Sequence, residues 1–143
     1  MGNAYAHSFR DLIVYQKARS VAFSIFKLTQ KFPPEERYSL TDQMRRSSRS
    51  IGAQIAEAWA KRIYEKHFIS KLSDADGEQM ESQHWVETSH ECSCISEKEM
   101  EQLNSDLQEI GAMLNAMMKK ADSFCSRGNN KIQEPAKEYF VSL

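Results

Sequence analysis

Three arginines crowd one short stretch of a predicted helix: Arg45, Arg46 and Arg49, within residues 38–62. Spacings of three and four residues set Arg46 and Arg45 each beside Arg49 on a helical surface. Guanidinium groups bind phosphate oxygens in a bidentate manner, so the trio could form a phosphate-contacting surface. Lys61 and Arg62 extend it along the same helix. The same residues also support a structural role. Arg45 borders the apolar stripe three residues before Ser48, and a later helix carries Glu78 and Glu81. An ion pair from Arg45 or Arg46 to Glu78 or Glu81 would cross the bundle. Such a half-buried pair sets register more than it adds stability.

Other residue types invite chemistry and then fail to assemble it. Glu81 with His84, and Glu87 with His90, repeat the Glu-x-x-His spacing of carboxylate-bridged di-iron bundles. Those sites need one motif from each of two facing helices. Here both lie on one helix six residues apart, about 240° around its axis. His90 and Cys94 share a face, but two ligands fall short of the four that a structural zinc site takes. There is no glycine-rich phosphate loop and no G-x-S-x-G elbow. No metal, no cofactor, no small-molecule substrate and no enzymatic activity are expected.

The elements that would carry these residues follow from periodicity. With 143 residues, one domain is the default, and 5 Gly with 3 Pro leave room for long helices. Helix 1 is predicted over 9–31, with Ser8 and Asp11 as a capping box and a stripe through Val14, Ala18, Val21, Ile25, Leu28 and Phe32. Pro33 and Pro34 end it. Helix 2, over 40–61, carries Met44, Ser48, Ile51, Ile55 and Ala58. Its many small residues let a neighbour approach closely, and Gly52 in its interior suggests a packing need, since it costs roughly 1 kcal/mol against Ala. Helix 3, over 64–93, has the poorest stripe and is strongly acidic. Helix 4, over 97–122, opens on a Ser96–Glu99 capping box and runs cleanly through Leu103, Leu107, Ile110 and Leu114. From Ser123 periodicity stops, so 123–143 is predicted as a tail with an end at 139–143 that docks weakly. Trp59, Ile63, Ile69 and Trp85 are surplus apolar residues outside the inner stripes, which favours self-association. The fold class is all-α: a single-domain antiparallel up-down-up-down four-helix bundle over 8–122, with a short N-terminal arm and a C-terminal tail.

The net charge of −1 and pI near 6.4 remove any bulk drive toward nucleic acid or membrane. Cys92, Cys94 and Cys125 are an odd number, read as reduced thiols of a cytoplasmic protein. Residues 1–9 lack a charged region followed by an apolar core, so no secretion signal is expected. Ala6 stands where a myristoylation motif needs Ser or Thr. No apolar run reaches membrane-spanning length.

FRDLIVYQKA at 9–18, the block at 25–62 and ISEKEMEQLNSDLQEIGAMLNAMMKK at 95–120 resemble the bacterial four-helix-bundle proteins encoded in 23S rRNA intervening sequences. The middle block is the most specific: F-P-x-E-E-R-Y, then Q-x-R-R-x-x-x-S-I, then I-A-E. The accessory protein of diversity-generating retroelements looks like the same fold. The resemblance implies a four-helix bundle, a homopentamer around a central channel, nucleic-acid binding above all in the retroelement branch, and no enzymatic activity. Ser39, Gln54 and Ala58 stand where the family often has Gly, Asn and Gly. The net charge also differs from that of strongly basic relatives. The expectation is therefore a non-enzymatic homo-oligomer, a pentamer on the resemblance, that engages structured RNA or DNA through the helix 2 arginines. The alternative is a protein-only self-associating scaffold whose arginines form structural ion pairs.

Overall fold

The computed structural model describes residues 6–125. Four long helices run α1 (Ile13–Thr29), α2 (Leu40–Ala60), α3 (Glu65–Glu91) and α4 (Glu97–Lys119), followed by one turn of α5 (Ala121–Phe124). Packing is between α1 and α2, α2 and α3, α3 and α4, and α4 and α1. The four therefore stand as corners of a square, with α1 diagonal to α3. Short connections make successive helices antiparallel.

The helix starts follow local chemistry. Ser8 and Asp11 form the expected capping box, but around a 3-10 turn, Phe9–Asp11, instead of an α-helix. Leu12 then takes an extended conformation and drops fully into the core. The α-helix begins only at Ile13, four residues later than periodicity places it. At α4 the Ser96 hydroxyl accepts from the Glu99 N–H at 3.1 Å, and the Glu99 carboxylate accepts from the Ser96 N–H at 2.9 Å. α3 ends on Ser93 with φ of 61°, a left-handed residue that closes two backbone bonds: Ser93 N–H to His90 and Cys94 N–H to Ser89.

Core filling explains the uneven stripes. Val14, Ala18, Val21 and Ile25 of α1 share one buried core with Leu103, Leu107, Ile110 and Leu114 of α4 and the stripe of α2. α3 contributes polar residues: Gln79, Ser82 and Ser89 are buried beside Phe68, Leu72 and Val86. Each has a partner, as burial requires. Ser82 donates to the buried Ser47 hydroxyl of α2 at 2.9 Å, Ser89 to the Trp85 carbonyl, and the Gln79 amide to Asp76 at 2.9 Å.

Several sequence expectations shift. Gly111 is the tightly packed glycine, because a Cβ there would lie 2.6 Å from the Gln79 amide nitrogen, which would have to move. At Gly52 a Cβ would only touch the Tyr15 ring at 3.6 Å, ordinary contact. Trp59, read as surplus, is 9% exposed and belongs to the core. Trp85 is half-buried and donates to Glu81 at 3.0 Å. Packing also continues past Ser123: Phe124 is fully buried and stacks on Phe68 at 5.8 Å. Residues 1–5 and 126–143, including the end at 139–143, lie outside the described residues. Among the described residues no helix is long and apolar enough to cross a membrane.

Candidate interaction surface

The three clustered arginines are divided by the fold. Consecutive helical residues differ by about 100°, close to the right angle between two neighbours in a square bundle. Arg45 accordingly turns to α1 and Arg46 to α3. Arg45 Nε donates to the Thr29 hydroxyl at 2.8 Å, and its guanidinium lies 4.8 Å from the Phe26 ring centre. Arg46 reaches Glu78 at 3.4 Å and forms a short contact with Glu81. The ion pair to Glu78 and Glu81 is thus made by Arg46. Of the two arginines expected to make it, Arg45 does not, because it sits on the flank that looks away from α3 and bonds Thr29 instead. Arg49 is exposed and shares the Phe26 ring at 5.6 Å.

Lys61 and Arg62 do not extend the cluster. Lys61 lies sixteen residues beyond Arg45, about 24 Å along the helix. Arg62 stacks over Trp59 at 3.4 Å and donates to the Trp59 carbonyl at 2.8 Å. The five basic residues therefore form no single surface. On the other flank of α2, Lys71 bridges from α3 to Glu57 at 2.8 Å, and that hydrogen bond holds the Glu57 carboxyl below its usual range.

What the fold builds is a groove of about 590 Å³ between α1 and α2. Its floor is made of small residues, among them Ala18, Ala22, Gly52, Ala53 and Ala56. They let the helices close at depth while leaving a trough above. Phe9, Tyr15, Phe23 and Phe26 form the walls. Phe9 meets Tyr15 edge to face at 4.8 Å. Phe23 is 61% exposed, an unfavourable state for a phenyl ring in water. Arg19 and Arg49 supply the charge, and among the described residues no carboxylate lines the groove. Sequence reasoning missed Tyr15, Arg19 and Phe23. Their spacing of four marks a second stripe on α1 that the stronger core stripe conceals.

The remaining candidates are not brought together. His84 packs edge-on against Trp85 at 4.7 Å. Among the described residues no group of three or more His, Cys, Asp or Glu side chains could hold a metal. Cys92, Cys94 and Cys125 are free thiols, and burial pushes the Cys94 and Cys125 thiols above their usual value.

The comparisons with known proteins bear on the family and the fold. The family model for the 23S rRNA-intervening sequence protein matches residues 10–116. The chain belongs to that family. Among solved structures it is similar to a protein of unknown function from the S23 ribosomal protein family of Bacteroides thetaiotaomicron. That match has 30% identity and a TM-score of 0.69, and covers 75% of this chain and 96% of that one. No curated protein matches. The matched family region runs from Arg10 into the last turns of α4, and so includes every residue that lines the groove except Phe9.

Proposed function

We propose that this family member is a non-enzymatic scaffold that works by self-association. The observation that carries the reading is the open α1–α2 groove with Phe23 61% exposed on its wall. An aromatic-walled trough of this size favours a protein surface that would remove it from water. Arg45 and Arg46 already serve α1 and α3, which supports the protein-only reading over a phosphate-binding helix. The pentameric state that the resemblance implies, and the cytoplasmic setting expected from the cysteines, belong to the same proposal. Light scattering at micromolar concentration should give a multiple of the 16.5 kDa chain mass. A single-chain mass would reject it.

A second reading has its own observation. Arg19 and Arg49 flank the exposed Phe23 and the half-buried Tyr15 and Phe26, a combination of the kind that holds single-stranded nucleic acid by phosphate contact and base stacking. Titration with RNA at two salt concentrations tests it. Binding that weakens with salt and is lost in Arg19→Ala with Arg49→Ala would favour nucleic acid.

A further inference from the structure

We propose that the groove of one copy receives the outer face of α3 from the next, with Met80 entering beside Phe23. The inference rests on the self-association reading and specifies which two surfaces meet. Ser73, Gly77, Met80, His84, Glu87 and Glu91 alternate spacings of four and three, and all are exposed. They form one stripe pointing away from the core. Met80 is 59% exposed at its middle. A flexible thioether suits a trough with an irregular floor of small residues.

Gly77 adds a separate observation. It sits mid-helix, where glycine costs roughly 1 kcal/mol relative to Ala. A Cβ there would meet nothing within 4 Å among the described residues, so none of them requires it. A bare backbone one turn from Met80 makes sense where another helix approaches closely. Gly111 provides the contrast, since a Cβ there would force the Gln79 side chain to move.

Charge supplies the match between the two faces. The groove is lined by Arg19 of α1 and Arg49 of α2, while Lys17 is paired with Glu109 of α4 at 2.9 Å; α1 has no carboxylate, and α2 has none from Met44 to Ala56. Between residues 72 and 91, α3 carries six carboxylates and no Lys or Arg. Glu78 and Glu81 are taken by Arg46 and Asp74 by Lys71, which leaves Glu87 and Glu91 on the outer stripe for the arginines of a neighbour. Two copies of the same face would repel, whereas the two unlike faces attract. Because α1 and α3 stand at opposite corners, the contact is head-to-tail, and each copy uses both surfaces.

The test uses the full chain with two single substitutions, Phe23→Asp in the groove and Met80→Asp on α3. Both positions are exposed, and circular dichroism checks that each variant folds. If either does not fold, Arg19→Glu and Glu87→Lys carry the same test. Each variant alone should show the mass of one chain. An equimolar mixture retains one intact interface and should show the mass of two. A wild-type chain that stays single overturns the self-association reading along with this one. A wild-type assembly that Met80→Asp leaves unchanged overturns this interface alone. So does a mixture that stays single-chain, because one intact groove and one intact α3 face are both present in it. If only RNA affinity falls in Phe23→Asp while the assembly mass is unchanged, the groove takes nucleic acid and the interface is refuted.

Discussion

Replacing Arg45 by alanine should cost more than replacing Arg46, although Arg46 makes the ion pairs. Arg45 is half-buried, and its Nε donates to Thr29 at 2.8 Å. A hydrogen bond from a charged donor contributes about 1.5–3 kcal/mol, and partial exposure favours the lower end. Its stacking on Phe26 at 4.8 Å adds roughly 0.5–1 kcal/mol. The Thr29 hydroxyl still donates to the Ile25 carbonyl at 2.8 Å, so the substitution strands no donor. The expected loss is about 2 kcal/mol, or roughly 4–10 °C in Tm for a chain of this size. The Arg46 side chain is 49% exposed, and the pairs it makes contribute about 0–1 kcal/mol. Urea and thermal unfolding at one fixed protein concentration would measure both, since any self-association makes Tm depend on concentration. Added salt should shrink the Arg46 effect and leave that of Arg45 nearly unchanged. Combining Arg45→Ala with Phe26→Leu should give less than the sum of the two effects. A larger loss at Arg46, or strict additivity of Arg45 with Phe26, would refute the assignment of Arg45 to the α1–α2 contact.

Two further substitutions probe the backbone. Gly111→Ala should destabilise by about 1–3 kcal/mol in urea unfolding, because displacing the Gln79 amide breaks its partly buried hydrogen bonds with Asp76 and Gln83 and outweighs the roughly 1 kcal/mol gained in helix propensity. An unchanged midpoint would show that Gln79 relocates freely. Ser93→Gly should stabilise by about 0.5–1 kcal/mol in the same assay, since it relieves a left-handed conformation at φ of 61° while keeping the two backbone bonds that close α3.

Helix count, order and most of the core were legible because a 3.6-residue period writes itself into the chain wherever one face is buried. The clean stripe of α4 and its Ser96–Glu99 cap show this best. α3 was harder to read, because Gln79, Ser82 and Ser89 occupy core positions as polar residues. They are tolerated there only because specific partners accept their hydrogen bonds. The short extension through Phe124 was missed because one turn has no periodicity to detect, while its ring still finds Phe68.

The arginine cluster on α2 was conspicuous as a string of residues, and the string contains everything needed to place those residues on a helix. It does not say what stands on either side of that helix. Neighbouring positions differ by about 100°, so the packing of α1 on one flank and α3 on the other sent Arg45 and Arg46 apart. The groove arose in the same way. Its residues come from two helices and are adjacent only once α1 lies against the small side chains of α2. Composition and periodicity are properties of one segment at a time, whereas a surface is shared between segments and exists only after they pack.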